Sequence, residues 1–179
     1  MASKLGDPTA RFLGRLTLNP LAHLDPIGTL ALLFSPVGWA KPVPVNALNF
    51  RHPRKDMAWV AVAGPLTNLF VAALTALAMR LAGGVAIAPG VWWLASPLFR
   101  LLQVSFAINV FLALFNMLPI PPLDGGRIVT GILPSRKALA FSRIEPYGFI
   151  ILIVLILTGV VNKLIVPGFL LVHYLLLGA

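Results

Sequence analysis

Among the side chains that could do chemistry, the most informative is an aspartate in the run Asn116-Met117-Leu118-Pro119-Ile120-Pro121-Pro122-Leu123-Asp124-Gly125-Gly126-Arg127. Asp124 follows a proline-rich stretch at the end of an apolar run. An aspartate before two glycines suits a turn or the N-cap of a helix, which is a structural role. A carboxylate held at the edge of a membrane can instead bind a metal ion. The spacing alone leaves both interpretations open.

Three amide side chains lie inside apolar runs. Asn68 follows Gly64-Pro65, whereas Asn109 and Asn116 share one face of a helix, being seven residues apart. A buried amide in lipid needs a hydrogen-bond partner, so we expect these faces to point towards other helices. The amides could form interhelical hydrogen bonds or a polar site in the bundle. Gly64-Pro65 favours the polar site, because a helix break at membrane depth requires a lining of protein or a cavity.

The composition indicates which elements must position these groups. The chain has 179 residues, of which 59% are hydrophobic and 11% are charged, whereas about a quarter of the residues are charged in soluble domains. The mean hydropathy is +0.93, which is typical of an integral membrane protein. The net charge of +9 lies in loops between apolar runs, as the positive-inside rule describes. It does not form the basic stripe of a nucleic-acid-binding protein. The chain has no cysteine.

The apolar runs predict an all-α polytopic membrane protein with three to four transmembrane helices and a small β element at membrane level. Met57–Met79 would span about 34 Å as a helix, and Leu101–Leu118 forms a second span. Two further runs, Tyr147–Val161 and Leu164–Ala179, are interrupted by Asn162-Lys163 and predict either two spans or one span and a re-entrant piece. Positive-inside counting places residues 1–56 and 123–146 in the cytoplasm and the loop 83–93 outside.

The sequence also predicts two regions, a membrane-associated part at residues 1–56 and a helical core at residues 57–179. Within the first part, Arg15–Asn19 and Val43–Asn46 alternate polar and apolar residues, which favours short strands. Prolines restrict the second of these to an edge strand. Ile27–Phe34 is apolar but too short to span a bilayer, which favours a re-entrant or interfacial segment.

Taken in order, these motifs resemble the site-2 protease family of zinc intramembrane metalloproteases, in its compact bacterial branch. Asn116…Asp124-Gly125 resembles the second metal-ligand motif of that family. Gly64-Pro65-Leu66-Thr67-Asn68 resembles its Gly-Pro-x-x-Asn membrane motif. Residues 5–10 and 14–20 resemble the segment directly after its first catalytic helix, and residues 23–28 and 39–46 also fit the family.

The resemblance implies that Asp124 is a zinc ligand and that Asn68 and Asn116 line the active site. It also implies cleavage of membrane proteins or peptides within or near the bilayer of a bacterial cell membrane. The strands at 15–19 and 42–46 would form a sheet at membrane level. An unwound substrate segment could add to the edge of that sheet.

One family motif is missing from the sequence. His-Glu-x-x-His supplies two zinc ligands and a glutamate general base, but the histidines here are His23, His52 and His173, and the one glutamate is Glu145. We expect the chain to be truncated, with Met1–Lys4 as the end of the missing helix. The alternatives are a non-catalytic pseudoprotease acting as a membrane scaffold, and a small transporter. The first two spans carry no charge at mid-bilayer depth, which disfavours the transporter.

Overall fold

Helices make up most of the protein. The computed structural model describes residues 1–17, 19–34, 40–86 and 92–178. The α-helices in these ranges are α1 (Thr9–Phe12), α2 (Pro26–Phe34), α3 (Pro53–Ala86), α4 (Trp92–Asn116), α5 (Asp124–Ile132), α6 (Ser135–Ser142), α7 (Gly148–Leu157) and α8 (Val160–Leu177). Short 3₁₀ turns lie at Ala2–Leu5, Pro20–Ala22, Ala47–Asn49 and Glu145–Tyr147. The predicted all-α fold class is confirmed.

Four helical stretches are long and apolar enough to cross a membrane: Pro53–Ala82, Pro97–Asn116, Ser135–Leu157 and Val160–Leu177. The third of these joins α6, the 3₁₀ turn at Glu145–Tyr147 and α7. Large apolar side chains are exposed along all four, including Phe70, Leu101, Phe149 and Leu171. Continuous apolar surface of this kind is unfavourable in water and is suited to contact with lipid tails. The upper end of the predicted range, four spans, is therefore confirmed.

Two predicted helix breaks differ from the structure: one is not formed, and the other lies at a different residue. Helix α3 continues through Pro65, so Gly64-Pro65 does not end it. The interruption predicted at Asn162-Lys163 lies instead at Gly159, whose φ of 74° is left-handed. Glycine adopts this conformation without steric penalty, whereas Asn162 and Lys163 are exposed in the first turn of α8.

The loop predicted between the first two spans is shorter than expected. Gly83 and Gly84 lie within α3, which extends to Ala86, and α4 begins at Trp92. Residues 87–91, including Pro89-Gly90, fall outside the described residues.

Residues Met1–Val60 form one compact unit, and the carboxylate of Asp7 is its polar centre. Asp7 is fully buried. It accepts hydrogen bonds from the backbone N–H of Thr9 (3.1 Å), the hydroxyl of Thr9 (2.5 Å), the N–H of Asn46 (2.9 Å) and the Nδ2 of Asn49 (2.7 Å). The pKa of Asp7 is lowered to about 2, and the hydrogen bond from the Thr9 hydroxyl is the largest cause. Burial of the carboxylate acts in the opposite direction. These bonds fasten the first residues of the chain to the segment that leads into α3.

The predicted membrane-level sheet is wrong for the described residues. Residues 15–17 and 42–46 form no strand, and Leu18 lies outside the described residues. In the described ranges the strand pairing is one isolated antiparallel bridge between Leu24 and Ala40. The backbone groups that would build a sheet have other partners, because the N–H of Arg15 donates to the carbonyl of Ala10 (2.8 Å) and the N–H of Asn46 donates to Asp7.

Residues Ala61–Ala179 form the second unit, whose core lies between α3, α4 and α8. Ala72 and Ala76 of α3 are buried against Phe106 and Val110 of α4. Small side chains of this kind let membrane helices approach closely. Phe169, Val172 and Leu176 of α8 pack against the same cluster.

Candidate metal site

Asp124 is the first residue of α5, and it does not cap the helix. Leu123 occupies the N-cap position, and no side chain makes a capping hydrogen bond there. The structural interpretation of Asp124 as an N-cap is therefore wrong. The Asp124 side chain is half-buried, at the point where the loop 117–123 leads from α4 into α5.

The other aspartates have structural roles that Asp124 lacks. Asp7 holds two segments together, Asp25 accepts from the N–H of Gly28 (2.9 Å), and Asp56 accepts from the N–H of His52 (2.9 Å). Within the described ranges, no donor is hydrogen-bonded to the carboxylate of Asp124. Its oxygens are therefore free to bind a cation.

A glycine of α3 lies directly against this carboxylate. A Cβ atom built on Gly64 would lie 3.0 Å from Oδ2 of Asp124, which is closer than an ordinary van der Waals contact. Asn68 follows Gly64 by one helical turn on the same face of α3, where neighbouring Cβ atoms are about 5–6 Å apart. The structure thus brings Asp124 to the face of α3 that carries Asn68, as the two motifs together would require.

Burial raises the pKa of the Asp124 carboxyl, and the positive charge of Arg127 acts in the opposite direction. Burial has this effect because it disfavours the charged form of a carboxyl group. A half-buried carboxylate without hydrogen-bond donors is stabilised most effectively by a nearby cation. Asp124 thus differs from Asp7, whose pKa is lowered by the hydrogen bonds that it accepts.

Asn109 and Asn116 each donate one side-chain hydrogen bond within their own helix. Nδ2 of Asn109 donates to the carbonyl of Ser105 (2.8 Å), and Nδ2 of Asn116 donates to the carbonyl of Leu112 (2.9 Å). The expected interhelical hydrogen bonds of these donors are therefore not formed in the described part of the chain. No hydrogen bond between described residues joins Asn116 to Asp124, so its place in the site stays a prediction.

The described residues do not complete a metal site. No group of three or more His, Asp or Glu side chains comes together among them. His23 is bonded through its ring to the carbonyl of Thr17 (3.0 Å). His173 packs edge-on against the ring of Phe106, with 5.9 Å between ring centres. Asp124 therefore fits one position of a zinc site, whereas a catalytic zinc ion usually has three protein ligands.

Sequence reasoning missed two features of this region. Gly64 serves to make room for Asp124, although its motif was interpreted as a helix break. An isolated glycine inside a helical pattern can mark a close packing contact, but Gly64 was interpreted only as part of the break. The Asp7 cluster had no comparable local signal, since its partners Asn46 and Asn49 are distant in the sequence.

Comparison with known proteins gives a consistent result. The sequence model of peptidase family M50 matches residues 77–159. A Bacillus subtilis protein named "Putative zinc metalloprotease YwhC" is 38% identical over 169 residues, which cover 93% of this chain and 76% of that protein. The Mycolicibacterium smegmatis protein named "Putative zinc metalloprotease Rip2" is 29% identical over 167 residues, covering 90% of this chain and 61% of that protein.

A shorter match covers part of a larger protein. The Mycobacterium tuberculosis protein named "Putative zinc metalloprotease Rip3" is 41% identical over 81 residues, which are 43% of this chain and 18% of that protein. No solved structure matches the chain significantly. The match to the Bacillus subtilis protein spans nearly the whole chain, and the family model covers the loop that carries Asp124. The chain therefore belongs to peptidase family M50, the site-2 protease family.

Proposed function

We propose that this chain is the membrane core of a zinc metalloprotease of the site-2 type, in which Asp124 is one of the zinc ligands and Asn68 and Asn116 line the active site. The observation that carries the proposal is the state of Asp124. Its carboxylate is half-buried, has no hydrogen-bond donor among the described residues and lies against Gly64 of α3. A carboxylate in this state suits a metal ligand.

Zinc, when bound in such a site, supplies a water molecule that ionises near neutral pH. Residues 1–179 contribute one ligand to it, so two further ligands and the general base must come from residues outside this sequence. The curated relatives are named zinc metalloproteases and are longer than this chain, which spans 76% and 61% of the first two. A gene that encodes His-Glu-x-x-His in frame upstream of Met1 would supply the missing ligands.

The proposed substrate is an extended segment of a membrane protein in a bacterial cell membrane. This proposal is supported by the four helices that are long and apolar enough to cross a membrane and by the names of the relatives. The segment 41–46 forms no strand, so the addition of a substrate strand to it is not part of the proposal.

A zinc assay tests the proposal. The chain extended upstream in its reading frame should bind about one zinc per chain, and Asp124→Asn should lose most of that zinc together with cleavage of a membrane peptide. Glu145→Gln is the matched control, because Glu145 is an exposed carboxylate in a 3₁₀ turn. Full zinc content in Asp124→Asn would count against the assignment of this ligand.

A second candidate function, a non-catalytic scaffold, is favoured by the absence of a three-ligand group among the described residues. It predicts that the gene has an in-frame stop codon upstream of Met1 and that no His-Glu-x-x-His is encoded between that stop codon and Met1. It also predicts that the purified chain holds no zinc and cleaves no membrane peptide. Zinc bound at one per extended chain excludes it.

A further inference from the structure

The loop 117–123, which connects α4 to Asp124, packs against helices α7 and α8. It is short and is bonded to itself, because Ile120 donates to the carbonyl of Leu118 (2.7 Å) and Leu123 donates to that of Ile120 (2.9 Å). These bonds shape the loop but do not fix it in space. Its position, and that of Asp124 directly after it, must come from contacts with other elements.

Gly148, the first residue of α7, makes the closest of these contacts. A Cβ atom built there would overlap the carbonyl oxygen of Pro121 and would lie 3.2 Å from the nitrogen of Pro122. Gly148 is buried, and its φ of −57° and ψ of −38° are ordinary helical values. The backbone conformation therefore does not require glycine. The missing side chain serves only to let the helix meet the loop backbone.

A second contact fixes the loop on the same side. Leu118 of the loop is buried in a cluster with Val161 and Ile165 of α8. Ile120 and Leu123 of the loop also pack against this cluster. The loop thus rests on the helical hairpin α7–α8, by backbone contact at Gly148 and by apolar packing at Leu118.

We propose that Gly148 is a positioning residue for Asp124, and that the hairpin α7–α8 is the platform that holds the metal-ligand loop in place. This inference rests on the proposed role of Asp124 as a ligand. The geometry assigns the hairpin a share in the site although it supplies no ligand itself. A side chain at position 148 must push the loop away, and Asp124 would then leave its place against Gly64.

A cross-linking measurement tests this without zinc or substrate. The chain has no cysteine, so Gly64→Cys with Asp124→Cys introduces one pair of thiols. A Cβ atom at position 64 would lie 4.0 Å from Cγ of Asp124, which is close enough for a disulfide after a small adjustment. Oxidation of the folded protein in detergent should join the two thiols rapidly. Adding Gly148→Ala should slow that rate by about tenfold or more, the factor expected for overpacking of a buried contact.

Gly168→Ala is the matched control, because it is the same change in α8 and its Cβ atom would meet only side-chain carbons of Leu114. The cross-linking rate should stay near that of the parent. Helix content and melting temperature are measured for each variant, and rates are taken below the melting transition. If Gly148→Ala lowers the melting temperature but cross-links as fast as Gly168→Ala, the role of Gly148 is stability alone and the proposal is overturned.

A second variant keeps the test decisive if Gly148→Ala does not fold. Val161→Ala removes packing between the hairpin and Leu118 without adding a clash, and it should also slow cross-linking, by severalfold. Leu157→Ala is its control, since Leu157 is 81% exposed. An unchanged rate in Val161→Ala would refute the platform. The zinc assay of Asp124→Asn remains separate, because thiol geometry does not depend on whether Asp124 binds zinc.

Discussion

The substitution Gly64→Ala separates the function of the site from the stability of the fold. The new Cβ atom would lie 3.0 Å from Oδ2 of Asp124, whereas an ordinary contact needs about 3.5 Å. The carboxylate must therefore withdraw by a few tenths of an ångström. Ligand distances in a metal site are held to about 0.2 Å, so the displacement exceeds the tolerance.

The expected loss of zinc affinity is about 10- to 100-fold, as for other changes that misplace a ligand. The expected change in stability is small. Alanine is favoured over glycine inside a helix by up to about 1 kcal/mol, but Pro65 follows position 64, and a proline disfavours helical backbone when the residue before it carries a Cβ atom. The two effects oppose each other, so Gly64→Ala should unfold about as easily as the parent while binding zinc much more weakly.

The assay is a chelator competition on the upstream-extended chain, together with unfolding of the same samples in detergent. Gly168→Ala is the control, because its Cβ atom would lie 3.2 Å from a carbon of the flexible Leu114 side chain, which can adjust. Its zinc affinity should match the parent. Parental zinc affinity in Gly64→Ala would refute the argument that this glycine makes room for the ligand. A lowered stability in Gly64→Ala would leave the affinity loss open to a structural explanation.

Two further predictions concern other parts of the chain. Asp7→Asn should lower the melting temperature near neutral pH. Because the folded pKa of Asp7 is depressed from 3.8 to about 2, its stabilisation is complete above the unfolded value and is lost as the pH falls through the folded value. The difference in melting temperature between parent and variant should therefore shrink as the pH falls from 3.8 to about 2. Gly159→Ala should cost about 1–2 kcal/mol in the free energy of unfolding, because its φ of 74° strains any other residue; an unchanged free energy would contradict the left-handed turn.

The membrane spans could be predicted from sequence because their signal is local. Long apolar runs without charge have few other structures available in a bilayer, and all four appear as helices. The ends of the spans were harder to place. Asn162-Lys163 is polar but remains helical, whereas Gly159 ends a helix through its backbone conformation. Hydropathy detects the polar pair and does not detect the conformation.

The failure of the predicted sheet has a different cause. The alternation at 15–19 and 43–46 is typical of strands, but alternation does not show whether a partner strand is present. Asn46 is instead bonded to Asp7, 39 residues earlier in the chain. A contact of this range overrides a weak local preference. The contact between Asn46 and Asp7 could have been predicted only by identifying Asp7 as the buried carboxylate that needs backbone donors from residues 43–46.

The candidate site was predictable in part. The motif around Asp124 pointed to one aspartate through family resemblance, but its spacing could not separate a ligand from an N-cap. The structure excludes the N-cap, because Leu123 occupies the cap position, and the role of Asp124 as a ligand stays a prediction. The contact with Gly64 could not be read from either motif alone, since it joins two helices that are far apart in the sequence. The contact between Gly148 and Pro121 is of the same kind.

A comparison of Asp7 with Asp124 explains why glycines surround the proposed ligand. Hydrogen bonds hold Asp7 firmly, but they occupy its oxygens and favour a buried carboxylate with no capacity left for a metal ion. Asp124 needs a fixed position with its oxygens unoccupied. Close backbone contacts provide that, because they restrict where the carboxylate can lie without donating to it. Gly64 limits Asp124 from α3, and Gly148 supports the loop before it from α7. Steric placement by glycine therefore leaves the oxygens of Asp124 accessible, whereas the hydrogen bonds around Asp7 do not.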